Sequence, residues 1–288
     1  QRQMCIRDLF ITVFSIICLI PFLLVLGSSF TAERALTQNG YNIWPSEFSL
    51  DAYKLVFVSG DIPQAYLITV GTTIVGTFFS MVFTCGAAYA MSVKNFKSRG
   101  VLALFIYFTM LFNGGLVANY LLTTKFLHLQ NNILVLLLPS FCNAWNILLM
   151  RNFFSGIPAS LAESAKIDGA NDITILIKII IPISLPGIAT IGLFYALTYW
   201  NEWYKCLLYI DSSHSQYYTL QYLIQQILRQ VNYAANQPAE AVGLNSLTLP
   251  TYAYRMATII VAIGPIILLY PFLQKYFVQG LTVGSVKG

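Results

Sequence analysis

The chain has 288 residues, of which 57% are hydrophobic and only 9% charged, with mean hydropathy +0.67 and formal net charge +5. A soluble domain carries about 25% charged residues, so a soluble enzyme is excluded, and a disordered chain, which needs low hydrophobicity and high net charge, is excluded with it. What remains is a polytopic membrane protein.

In chain order, residues 1–8 (QRQMCIRD) do not match the apolar chain after them and look like translated adapter sequence. They are expected to be a scar, with the native N-terminus missing, and are set aside. Six apolar runs then stand out, at about residues 9–30, 66–93, 101–119, 133–150, 183–203 and 256–274. Each has the length of a membrane span. The first is too long for a signal peptide, lacks a small-residue cleavage site, and is succeeded by five more runs. Between the first and second runs, Ser49 is placed to cap a short helix. Between the fifth and sixth, Leu220, Leu223, Ile224, Ile227, Leu228 and Val231 put one apolar stripe on a helix. That helix either lies on the membrane or on the chain's own spans, or it meets an extracytoplasmic partner.

The short connections set the orientation. Lys94, Lys97 and Arg99 crowd the second connection, Arg151, Lys166 and Lys178 lie in the fourth, and Lys275 and Lys287 come after the last span. The opposite side spreads Arg34, Lys54, Lys125, Lys205, Arg229 and Arg255 over longer loops and carries more acids. Both termini and the second and fourth connections are therefore expected in the cytoplasm. The cysteines form no CxxC pair, and His128 and His214 are too few for a His-rich metal site. Ion-coupled transporters place ionisable groups at mid-membrane, and here the apolar runs from residue 9 on, the fifth counted only to Trp200, hold no Asp, Glu, Lys or Arg. The chain also lacks the G-x-x-x-x-G-K-[ST] phosphate loop. It is either passive or powered by another subunit.

The fourth connection, residues 155–182, reads SGIPASLAESAKIDGANDITILIKIIIP. Pro158 suits a first helical position. Leu161 to Ile167 favours helix, Gly169 can take the left-handed conformation that ends it, Asn171 can cap a second helix, and Pro182 marks the boundary before the fifth span. The result is a cytoplasmic helix-turn-helix tied at both ends to spans, a lever able to pass force to them.

Glu163-Ser164-Ala165, then Gly169, then Ile179 and Pro182, resembles the EAA loop of ATP-binding-cassette importer permeases, E-A-A-x(3)-G-x(9)-I-x-L-P, with Ser164 in place of Ala and Ile181 in place of Leu. Residues 112–116 (FNGGL), 150–154 (MRNFF), 200–203 (WNEW) and the tail 279–288 (QGLTVGSVKG) are similar to carbohydrate-uptake permeases of the MalG-like type, in the LplC/YtcP branch. The resemblance implies an all-α, six-span type I importer permease subunit. It implies a second permease subunit, two ATPase subunits that bind ATP and magnesium, and an extracytoplasmic solute-binding protein, with no cofactor or catalysis in this chain. It further implies that Pro158, Leu161, Glu163, Ser164, Ala165, Asp168 and Gly169 dock on an ATPase, with Ser164 and Ala165 allowing close approach. By the same resemblance Gly280, Thr282, Gly284, Lys287 and Gly288 reach between the ATPases; the other reading of that tail is a frayed terminus.

Sugars are held by aromatic faces and amide or hydroxyl hydrogen bonds. Asn113, Asn143, Trp145, Asn146, Tyr199, Trp200 and Asn201 are the candidates for a substrate path. The alternatives are interhelical hydrogen bonding for the mid-span amides and an aromatic belt for Trp200. The expected function is the permease subunit of a bacterial sugar or oligosaccharide importer in the cytoplasmic membrane. The competing readings are an importer of another solute and a passive channel.

Overall fold

A computed structural model describes residues 2–58, 60–235, 252–265 and 267. The described residues form helices and no strand; one isolated antiparallel bridge joins Thr31 to Phe48. They fall into two compact units, one holding the described residues up to 65 and from 220 to 267, the other residues 66–219.

In the first unit, α1 (Arg2–Ser29) is apolar all round from residue 9 on, and its stretch Asp8–Ser29 is long and apolar enough to cross a membrane. A helix without a polar face has no water-facing side. Thr12 and Ser15 donate to the carbonyls of Asp8 and Ile11, 2.7 and 2.8 Å away, so their hydroxyls are satisfied within the helix. The chain then folds back on itself. A Cβ at Gly27 would stand 2.0 Å from the Ile43 carbonyl oxygen, so only glycine permits that approach. The Phe30 ring stacks on Phe48 and Tyr53. After α2 (Glu33–Asn39) comes α3 (Asp51–Val58), where the Ser49 hydroxyl accepts from the Asp51 N–H at 3.1 Å, the cap expected from sequence. Hydrogen bonds from Lys54 and Ser49 hold the Asp51 carboxyl below its usual range.

The amphipathic helix lies at Leu220–Ala235, with Leu220 and Ile224 buried. A further helix covers residues 252–265. The Glu33 carboxylate accepts the N–H groups of Tyr252 and Ala253 at 2.9 and 2.8 Å, an acidic cap at a helix N-terminus supplied from a distant part of the chain. The expected sixth span, 256–274, extends beyond the described residues.

The second unit is built on α4 (Asp61–Ser92), the other helix that alone is long and apolar enough to span. It begins five residues before the expected 66–93 run. Next come α5 (Arg99–Leu111) and α6 (Gly115–Leu121), the latter running into a π turn at Leu122–Phe126. The run expected unbroken at 101–119 is bent by 113° between them. Gly115 adopts φ +79, and the Asn113 amide oxygen accepts its N–H at 2.9 Å, so the Asn-Gly-Gly triplet makes a turn inside an apolar stretch.

The run expected at 133–150 is likewise broken, into α7 (Leu134–Leu137), a 3₁₀ turn at Leu138–Ser140, and α8 (Ala144–Ser155), with a 49° bend. Asn143 is the cap of α8, its side chain accepting from the Asn146 N–H at 3.1 Å. The connection holds α9 (Ala159–Ile167) and α10 (Asp172–Ile175), which passes through a π turn at Leu176–Ile180 into α11 (Ile181–Ile183). A 90° bend then leads to α12 (Leu185–Trp200). The bend falls at Ser184 rather than at Pro182, which sits near the start of α11; Pro186 opens α12, where a missing N–H is harmless. Finally α13 (Tyr204–Tyr209) precedes a 3₁₀ turn at Ser212–Tyr217.

Its core joins Cys85, Ala88 and Tyr89 of α4, Met150 and Phe154 of α8, Ile175 of α10, and Ile191, Tyr195 and Tyr199 of α12. Two tyrosines one turn apart on α12 serve the break before α8. The Tyr199 hydroxyl donates to the Leu137 carbonyl at 3.2 Å and lies 3.0 Å from Ser80 Oγ. The Tyr195 hydroxyl accepts from the Asn143 N–H at 3.2 Å and lies 2.7 Å from Thr84 Oγ1. A helix broken in an apolar medium exposes backbone groups that must find partners, and these two phenols supply them. The small stripe Gly76, Ser80, Thr84 on α4 makes room: a Cβ at Gly76 would come within 2.5 Å of the Tyr199 ring.

Candidate functional site

The helical connection at residues 158–175 is built by local rules. Pro158 is the cap residue of α9. At its other end Gly169 has φ +84, its N–H donates to the Lys166 carbonyl at 3.0 Å, and the Ala170 N–H donates to the Ala165 carbonyl at 2.9 Å. This pair of bonds around a left-handed glycine is a Schellman termination. Ala165 and Ala170, on either side of it, both pack on the core of the second unit. Asn171 then starts α10, its amide oxygen accepting from the Thr174 N–H at 2.8 Å. Lys166 pairs with Asp172 at 2.8 Å across the turn, with both side chains about half exposed, so the pair is worth at most about 1 kcal/mol. Tyr89 at the end of α4 donates to the same carboxylate at 3.4 Å.

The two faces of α9 differ. Ala162 and Ala165 face the core, whereas Leu161, Glu163, Ser164 and Ile167 are exposed, Ile167 at 86%. Asp168 and Gly169 are exposed at the tip. Ala165 is partly buried and packs on the core of its own chain. Sequence reasoning missed Ile167; an isoleucine on the polar side of an otherwise core-facing alanine stripe was the available signal. The tail residues Gly280, Thr282, Gly284, Lys287 and Gly288 lie outside the described residues.

The substrate-path candidates do not converge. Asn146 and Trp200 are buried, and the Trp200 indole meets the Tyr66 ring edge-on at 5.8 Å. Asn143 is spent on capping, and the exposed Asn201 side chain donates to the Leu197 carbonyl at 2.9 Å. Trp145 is 59% exposed on the first turn of α8. Asn113 lines a cleft of about 640 Å³ together with Asn119, Leu138, Tyr204, Lys205 and Tyr209. On its wall Lys205 forms an ion pair with Glu202 and donates to Ser140 Oγ at 2.9 Å. Both charged side chains are largely buried. Cys206 next to them is fully buried, and burial raises its thiol above the usual range. Asn119 and Lys205 were not foreseen, since they come from the end of the third run and from the connection after the fifth, which sequence spacing does not bring together.

The model of the family described as binding-protein-dependent transport system inner membrane component matches residues 82–283. The polygalacturonan/rhamnogalacturonan transport system permease protein YtcP of Bacillus subtilis (strain 168) is 40% identical over 279 residues, covering 97% of this chain and 96% of the relative. The chain belongs to this family. The protein LplC of the same organism is 37% identical over 94% of this chain and 90% of its own. The crystal structure of a bacterial ABC transporter involved in the import of the acidic polysaccharide alginate superposes with a TM-score of 0.83 at 31% identity, over 95% of each chain. The fold is therefore that of a type I ABC importer permease, all-helical as the sequence led us to expect. As an inner membrane component of a binding-protein-dependent system, the family member is a non-catalytic permease subunit; ATP hydrolysis belongs to partner ATPases.

Proposed function

We propose that this chain is one of two membrane-spanning subunits of an ATP-driven importer for an oligosaccharide, with six spans and both termini in the cytoplasm. The observation that carries this is the α9–α10 turn. It is ended at Gly169 by two backbone hydrogen bonds, packed on the core through Ala162 and Ala165, and exposes Leu161, Glu163, Ser164 and Ile167 on its outer face. Such a face suits a groove on an ATPase subunit, with Glu163 and Asp168 meeting polar or basic groups there. ATP and magnesium are held by those ATPases. Their closure pulls on α9, and the spans reorient from inward- to outward-facing to take sugar from an extracytoplasmic solute-binding protein. The named substrates of the relatives, polygalacturonan and alginate, favour an oligosaccharide over other solutes.

The test is to co-express the tagged chain with its flanking genes and compare it with Gly169→Pro. Proline is locked near φ −65° and has no N–H, so it cannot adopt the native +84° or donate to Lys166. An ATPase and a second permease should co-purify with the native chain, and the variant should stay in the membrane while uptake stops. A stable lone protein, or unchanged uptake in the variant, would count against the lever.

A further inference from the structure

The groove between α5 and α8 holds polar groups that the chain itself does not satisfy. It is a cleft of about 520 Å³ lined by Gly100, Leu104 and Tyr107 of α5 and by Leu148, Arg151 and Asn152 of α8. Among the described residues, the Tyr107 hydroxyl, the Arg151 guanidinium and the Asn152 amide have no hydrogen-bond or ion-pair partner. Such groups beside an apolar medium need one.

Charge identifies what would supply it. Arg99 opens α5 beside Gly100, after Lys94 and Lys97, and Arg151 faces the same groove. No Asp or Glu occurs anywhere from residue 62 to residue 162. The mouth is therefore cationic, with no acid on either helix to neutralise it. Depth agrees with this. Arg151 stands four residues before the end of α8, about 6 Å along its axis, and Tyr107 eight residues into α5, about 12 Å. Leu104 and Leu148 lie between these two levels, about 8 and 10 Å in, and Gly100 stands at the mouth. The guanidinium therefore sits at the level of a headgroup phosphate, and the phenol below it at the level of the glycerol esters.

We propose that this groove binds an anionic phospholipid of the cytoplasmic leaflet. Its phosphate accepts from Arg151, an ester carbonyl accepts from Tyr107, and the headgroup occupies the space that Gly100 leaves open at the mouth. Basic pockets between spans on the cytoplasmic side suit such headgroups. A zwitterionic choline lipid would bring its own cation against Lys94, Lys97 and Arg99. This placement rests on the orientation given under the proposed function.

The test uses the co-purified complex in nanodiscs of equal phosphatidylglycerol and phosphatidylcholine, with retained lipids counted by native mass spectrometry. A Cβ at Gly100 meets nothing within 4 Å, so Gly100→Leu starts from open space and narrows the mouth of the groove. The native chain should retain phosphatidylglycerol in preference to phosphatidylcholine. Arg151→Gln should lose about fivefold of that retention, the factor for one interfacial cation. Gly100→Leu should lose it similarly, and Arg151→Lys should keep most of it. Equal retention of both lipids, or no change in Arg151→Gln and Gly100→Leu, overturns the proposal. Loss of the second permease instead of lipid would overturn it too, by making the groove a subunit interface. Lipid retention is read independently of uptake, so its failure leaves the importer reading standing, while a chain that binds the lipid but no ATPase would sink only the importer.

Discussion

Gly169 is the position at which one side chain decides a local structure. Its φ of +84 lies where a Cβ is penalised, although nothing within 4 Å would touch that Cβ. Gly169→Ala should therefore destabilise the turn by about 1 kcal/mol through backbone strain alone, seen as faster hydrogen exchange at Ala170 with no change elsewhere. Cys206 supplies a chemical check. Its thiol is buried and its pKa raised, and the thiolate is the reactive form. In a variant retaining Cys206 as the sole cysteine, maleimide labelling at pH 7.5 should be negligible until the protein is unfolded; rapid labelling of the folded protein would mean that the wall of the cleft opens. Beside it, Lys205→Met leaves the Glu202 carboxylate largely buried without its cation. That should lower stability by about 3 kcal/mol. Glu202→Gln combined with Lys205→Met should recover most of the loss, a comparison that thermal unfolding in detergent can make.

Among the elements, the break before α8 depends on two phenols from α12. Replacing both Tyr195 and Tyr199 with Phe leaves the Leu137 carbonyl and the Asn143 N–H without these partners. At about 1 kcal/mol for each hydrogen bond lost, the double variant should be about 2 kcal/mol less stable, with exchange rising first at residues 137–146. Unchanged protection there would show that the break is held by packing alone. The turn at Gly169 and the cap at Asn171 were legible in the sequence because each depends on a single residue with a strong local preference. The breaks at residues 112–114 and 141–143 were not, because the segments on both sides are equally apolar and hydropathy cannot see a change of direction. Nor did spacing show that Asn143 caps a helix, that Trp200 packs on Tyr66, or that Ala165 turns inward. Each of these depends on which neighbour the bend brings near.

For the whole molecule, the outer face of α9 is where membrane and motor subunits meet in the proposed importer. Ile167, at 86% exposure, is its most prominent apolar contact. Ile167→Asp should lower ATPase co-purification about tenfold, equivalent to about 1.4 kcal/mol, with the amount of chain in the membrane unchanged. Because Ile167 does not belong to the core, a drop in membrane level would point instead to misfolding. The sequence made the family legible over nearly the full length, whereas the residues that would touch sugar remained scattered. Hydropathy marks what lies in the membrane, and only the tertiary arrangement marks what lines a path through it.

In the proposed importer, the right angle between residues 172–183 and α12 would act as a crank. If α12 crosses the membrane, the arm before Ser184 lies along its surface, and a sideways pull on α9 becomes tilt of α12. Tyr195 and Tyr199 ride on that shaft, so the tilt would be felt at the Leu137 carbonyl and the Asn143 N–H, inside the broken helix. A stroke of a few ångströms at the surface would in this way change the angle between α7 and α8 without any group of this chain carrying charge across the bilayer.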